Sequence, residues 1–212
     1  MARVVYHDPS GSPDVTVDLD PSLAPRELTE PDVSKLPGAR LVASFAVDGG
    51  GLAVSGGCVR APSGRFVPGI EGVLFERATA LVLRTSKLEP TELGVSKSST
   101  DEAGLFTQRL EGHTTERTLG IAHLLTFVGT DRDALLCTVV CSSPSEQGSA
   151  ECAPMLETLR IVGSHTPPPE PGLLARTLFL AADHPRPALA TLAVVAALII
   201  AWVLARRPRP RP

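Results

Sequence analysis

Five side chains have the types to do chemistry together: His123 and the four cysteines Cys58, Cys137, Cys141 and Cys152. A thiolate beside an imidazole base makes a nucleophile, and the same residue types form the ligand set of zinc. Spacing works against both. There is no C-x-x-C, and Cys137 and Cys141, four apart on a strand, stand about 13 Å from one another along one face, too far for one metal ion. Nothing supplies an orienting third group or an oxyanion loop for a Cys–His pair. Two readings of the thiols remain. The one favoured by a reducing compartment is small, inert core residues; the other is a disulfide between Cys141 and Cys152, which would place the domain on the oxidising side of a membrane.

The other templates are no stronger. The run Asp48-Gly49-Gly50-Gly51 comes nearest to a phosphate loop, but it lacks the Lys-Ser/Thr that would hold phosphate and metal, and it reads as a hairpin turn. Glu76 and Arg77 read as a solvated rim, His113 as exposed at a strand end, and His7, His165 and His184 as loop or linker residues. No catalytic residue, metal or cofactor is assigned.

The elements that would position His123 and the cysteines follow from hydrophobic periodicity. Asp14 to Asp20 alternates, with Val15, Val17 and Leu19 on one face of a strand. Ala39–Val47 and Leu52–Arg60 form a hairpin across the glycines. After Pro68, the residues Ile70, Val73, Leu74, Ala78, Leu81 and Val82 recur at helical spacing. Leu105–Glu111, Thr118–Val128 and Ala134–Ser142 form a meander. With its second turn centred on Asp131, Leu125 faces Cys137, His123 faces Val139 and Ile121 faces Cys141, so the histidine and two cysteines share a face. A closing helix over about Ser149–Leu159 carries Cys152, Met155, Leu156 and Leu159. These elements imply an α+β domain over residues 1–162, an antiparallel β-sheet packed by helices as an αβα sandwich.

Residues 163–172, with SHTPPPEP, read as a stiff polyproline linker, and residues 173–187 as a juxtamembrane segment. Ala188 to Ala205 contains no charge and no proline. At about 1.5 Å per residue it spans roughly 27 Å, close to the thickness of a bilayer's hydrocarbon core, so one C-terminal transmembrane helix is expected. Trp202 would lie at the membrane interface with Arg206 and Arg207, at the head of the basic tail 206–212. The N-terminus shows no signal-peptide core, which implies a tail-anchored protein whose soluble domain stays in the cytoplasm. The positive-inside rule points the other way, because it keeps those arginines inside.

Charge and composition narrow the partners. Up to Gly163 there are 21 acidic against 14 basic side chains, while the remainder has six arginines against Glu170 and Asp183. An acidic domain does not suit nucleic acid, and a basic tail suits anionic lipid. Three lysines against many arginines, and no asparagine, fit a GC-rich bacterial coding bias, which together with the C-terminal span gives a bacterial inner membrane as the expected location. The element order and the ending CTVVCSSPSEQGSAECAPMLETLRI resemble the PsbP-like fold over roughly residues 15–162. That resemblance implies a domain that binds other proteins rather than one that catalyses, and it carries over no functional residue. The expected function is a tail-anchored, non-enzymatic protein-interaction or scaffold module, with the lipid bilayer and an unnamed protein as partners and no small-molecule substrate. The rival is a membrane-tethered enzyme or redox sensor using the His123, Cys137 and Cys141 face.

Overall fold

Gly50 and Gly51 both take positive φ, 60° and 87°, and so reverse the chain in a two-residue turn whose twist matches that of the flanking strands. The hairpin they close is the first long element of a fold that a computed structural model describes over residues 2–7, 13–28, 33, 38–62, 71–100, 104–144 and 148–169. In chain order the elements are β1 (Ala2–His7), β2 (Asp14–Asp18), β3 (Ala24–Pro25), β4 (Arg40–Gly49), β5 (Leu52–Ala61) and α1 (Glu71–Ser86). Then come β6 (Glu92–Thr100), β7 (Phe106–His113), β8 (Thr118–Val128), β9 (Asp133–Ser143), α2 (Gly148–Glu157) and β10 (Arg160–Val162).

Among the described residues, seven strands make one antiparallel sheet in the order β3-β4-β5-β9-β8-β7-β6, and three more make a small sheet, β1-β2-β10. Helix α1 lies on one face of the large sheet. Phe75 packs there with Phe106, Leu125 and Phe127. Helix α2 and the small sheet cover the other face, where Val15, Val17, Leu124, Cys137, Val139, Cys152 and Leu156 form the largest core cluster. The class is α+β, with the second outer layer made of a helix and a small sheet together. β8 and β9 run through the middle, and from Leu119 to Val128 every residue of β8 is buried. A strand buried on both faces reads as a continuous apolar run, and LGIAHLLTFV is one but for its histidine and threonine.

Three sequence expectations are corrected. The β8–β9 turn comprises the four residues 129–132, with Gly129 and Arg132 at positive φ, so its centre lies half a residue before Asp131. The pairing therefore slips by one: Leu124 faces Cys137, His123 faces Thr138 and Gly120 faces Cys141. Because side chains alternate along a strand, that slip sends His123 to the α1 face and both cysteines to the α2 face. The shared face does not form.

Helix α1 also turns differently from expectation. Its buried positions are Phe75 and Thr79, and Val73 is 48% exposed. Third, His7 closes a strand instead of lying in a loop. Helix α1 ends on Lys87 at φ 55°, with the Leu88 amide donating to the Leu83 carbonyl, a left-handed cap in which a non-glycine residue takes the strained position.

The chain divides after Pro169. Within the described part, the start of the Pro-rich stretch lies on the domain: the Thr166 amide and hydroxyl both donate to the Phe127 carbonyl. The apolar run Ala188–Ala205, Trp202, Arg206 and Arg207 lie outside the described residues. No helix among the described residues is long and apolar enough to cross a membrane.

Candidate interaction surface

The chemistry-bearing residues are each accounted for by the two sides of the sheet. On the α1 side His123 is 1% exposed. Its Nε2 lies 2.7 Å from the Thr79 hydroxyl on α1 and its Nδ1 2.9 Å from the Thr138 hydroxyl on β9. A neutral imidazole has one donor and one acceptor nitrogen, so one nitrogen donates to one threonine while the other accepts from the second. Phe75 stacks on the ring, with centroids 5.3 Å apart and an interplanar angle of 12°. Burial pushes the imidazole pKa down to about 3, because no water reaches the ring to solvate a charge. The ring is thus neutral, fully bonded and sealed, and it ties α1 to the sheet.

On the α2 side the four cysteines form two disulfides, and no cysteine is left free. Cys58 on β5 and Cys137 on β9 stand directly opposite one another, with Cα atoms 4.1 Å apart. Cys141, four residues further along β9, is joined to Cys152 of α2, with Cα atoms 5.6 Å apart. All four are at most 1% exposed. The reading of these cysteines as free core thiols is overturned: they are core residues, but cross-linked ones. Cys58–Cys137 needs β5 beside β9, a pairing between residues 79 apart in sequence that no local pattern announces. Gly120 completes this side. A Cβ there would meet Leu156 Cδ1 at 2.6 Å and Cys152 Cβ at 3.4 Å, so the absence of a side chain lets α2 settle onto β8.

One accessible region lies around β6, an element the sequence pattern does not reveal. It is the edge of the large sheet, and every position but Leu93 is exposed. A strand of ELGVSKSST has neither alternation nor a buried face, hence no periodic signal. A bulge between Val95 and Lys97 turns these two residues to opposite faces, since Val95 pairs with Leu110 and Lys97 with Arg109. On the α2 side, Ser96, Lys97, Arg109, Glu111 and Glu157 border a cleft of about 200 Å³, closed at one wall by a 2.9 Å contact between Arg109 Nη1 and Glu157 Oε1. On the α1 side, Leu93 and Leu110 join Val82, Leu83 and Leu88 in a partly buried apolar cluster, and Val95 beside it is 58% exposed.

No protein-family model matches the chain, and no curated protein matches it in sequence. Among solved structures it is similar to LpqN of Mycobacterium tuberculosis, described as involved in cell envelope biogenesis. The identity is 12% over 76% of this chain and 91% of that one, with a TM-score of 0.42. It is also similar to the Ran-binding protein Mog1p of Saccharomyces cerevisiae, at 12% identity over 67% of this chain and 78% of that one, with a TM-score of 0.37.

Among the described residues no group of three or more His, Cys, Asp or Glu is placed to hold a metal ion. His113 ends β7 in the open, 3.4 Å from Glu92 Oε2, and His7 Nδ1 lies 2.7 Å from Asp14 Oδ1 at the surface. Glu76 and Arg77 are exposed on α1.

Proposed function

We propose that the chain is a membrane-tethered, non-enzymatic protein-interaction module of PsbP-like type, with its domain on the oxidising side of a bacterial inner membrane. The observation that carries this reading is the fate of the reactive residues. His123 is sealed under α1, the cysteines are closed into disulfides beneath α2, and the sheet separates the two sets. The same disulfides support a change in the expected location. Two buried bridges form and persist in an oxidising compartment, so the reading moves the domain from the cytoplasm to the outer side. The arginines at 206, 207, 209 and 211 would then stay inside, where the positive-inside rule prefers them. The anchoring role of Ala188–Ala205 and the interfacial roles of Trp202, Arg206 and Arg207 belong to this proposal. So does the PsbP-like type, which the order hairpin, helix, meander, helix supports.

Two measurements test it. Denatured protein from intact cells, treated with a maleimide polymer, should show no modified cysteine without reductant and four with it; ready modification without reductant would remove the case for the oxidising side. A photo-cross-linking residue placed in turn at the exposed positions Val73, Ser98 and Val162 of the membrane-bound chain should trap a protein from at least one site. Failure at every site would count against an interaction module.

A further inference from the structure

The outer edge of β6 pairs with no described strand, and its backbone amides and carbonyls run along it for nine residues. Natural sheets guard such an edge with a bulge and a lysine, and β6 has both, at Val95/Lys97. Here the two devices do more than guard. The bulge divides the strand into a half whose Leu93 and Val95 lean toward the apolar cluster of the α1 side and a half whose Lys97 leans over the cleft of the α2 side. Lys97 forms no ion pair among the described residues, whereas its neighbour Arg109 is held by Glu157.

Resting on the interaction reading above, we propose that β6 accepts an extended segment of a protein partner as an eighth strand. The segment would carry apolar, β-branched residues toward Leu93, Val95 and Leu110 and a carboxylate toward Lys97. Main-chain hydrogen bonds along the edge give such addition its affinity, and the alternate side chains give it selectivity. An unbroken apolar strand would leave the Lys97 ammonium to be desolvated without a partner, and an acidic residue at that one position relieves it. A second copy of β6 fits less well. Lys97 lies one residue from the centre of the strand, so full antiparallel pairing of two copies brings the two ammonium groups near each other on one face.

The test uses the full chain in lipid nanodiscs and a synthetic peptide of nine residues, the length of β6, alternating valine and threonine around one central aspartate. Binding is followed by fluorescence anisotropy and by amide hydrogen exchange. Bound peptide should slow exchange across 92–100 by about tenfold or more. Val95→Asp should weaken binding by about tenfold, and Lys97→Glu should reverse the preference between the aspartate peptide and the same peptide with lysine. Both residues are exposed, so neither change threatens the fold. Protection that falls elsewhere on the domain, binding indifferent to both variants, or no binding at millimolar peptide overturns the proposal. Protection of 92–100 that rises with protein concentration alone, together with a dimer in sedimentation, assigns the edge to a second copy and overturns it too. Any of these, with a partner still cross-linked from Val73 or Val162, leaves the interaction reading standing; silence at all three positions removes that reading itself.

Discussion

The two faces of the central sheet are held down by different chemistry. Beneath α2 the fastening is covalent: two disulfides, both with one sulfur on β9, join β9 to β5 and to α2. Beneath α1 it is a neutral histidine shared between two threonines, with a phenylalanine ring lying on it. The first fastening is opened by reductant, the second by protonation of the histidine. One strand register produces both, because alternate residues of β8 and β9 serve opposite faces. The fold thus has two separate points of failure, each with its own trigger.

The largest way to break the covalent face is to remove Cys58 and Cys137 together as alanines. Closing a loop of about 80 residues restricts the unfolded chain by roughly 4–5 kcal/mol, against about 3 kcal/mol for the loop of about 12 that Cys141–Cys152 closes. Denaturant unfolding should therefore rank the 58/137 variant below the 141/152 variant, and reduction of the parent should lower stability further than either. An equal loss from both pairs would show that packing around the sulfurs, not loop closure, sets the contribution.

Acid should act on the α1 face. Unfolded, the His123 imidazole takes a proton near its ordinary pKa of 6.5; folded, it does so only near pH 3. Between those values the unfolded state binds more protons, so stability is fully present above about pH 6.5 and falls as pH drops, by on the order of 4 kcal/mol at pH 3. Replacing Thr79, His123 and Thr138 with Val, Leu and Val removes every partner at once, which costs far less than orphaning one of them. Between about pH 6.5 and 5, above the range in which most carboxylates protonate, that triple variant should keep a nearly constant unfolding midpoint while the parent weakens. Exchange of α1 amides, followed by mass spectrometry down the pH series, would show whether α1 opens first.

Smaller effects sharpen the contrast. Gly120→Ala should cost about 1–2 kcal/mol, since Leu156 has to shift to admit the methyl group, and the loss should appear in thermal melts of oxidised protein. Arg109→Ala should cost less than about 1 kcal/mol, because its partner Glu157 is 61% exposed and the pair is well solvated. A larger loss would mean that the cleft wall carries packing as well as charge.

The meander, the glycine hairpin and the closing helix were legible because their apolar residues recur at period two or at helical spacing, and Cys141–Cys152 was among the readings they allowed. The register of β8 on β9 was not. It turns on whether a loop of Gly, Thr, Asp and Arg pivots on Asp131 or ahead of it, and either pivot satisfies the same pattern. That small uncertainty moved His123 across the sheet and created a mixed His–Cys face that the structure does not contain. The facing of α1 was missed for a related reason: Phe75 and Thr79 form its buried stripe, but Val73 and Leu74 offered an equally apolar one displaced around the helix. Edge strand β6 gave no signal because its residues face water, and β10 is only three residues long.

The placing of both bridges on β9 also bears on how the protein carries load. Pulled from its two ends, the oxidised chain transmits force from Cys152 to Cys141, along β9 to Cys137, and across to Cys58. The segments between the bonded cysteines, with separations of 79 and 11, stay outside that path. At about 3.4 Å per residue they represent roughly 300 Å of contour length that tension cannot pay out until the sulfurs are reduced. Oxidation therefore makes the middle of the domain, from β5 to α2, nearly inextensible.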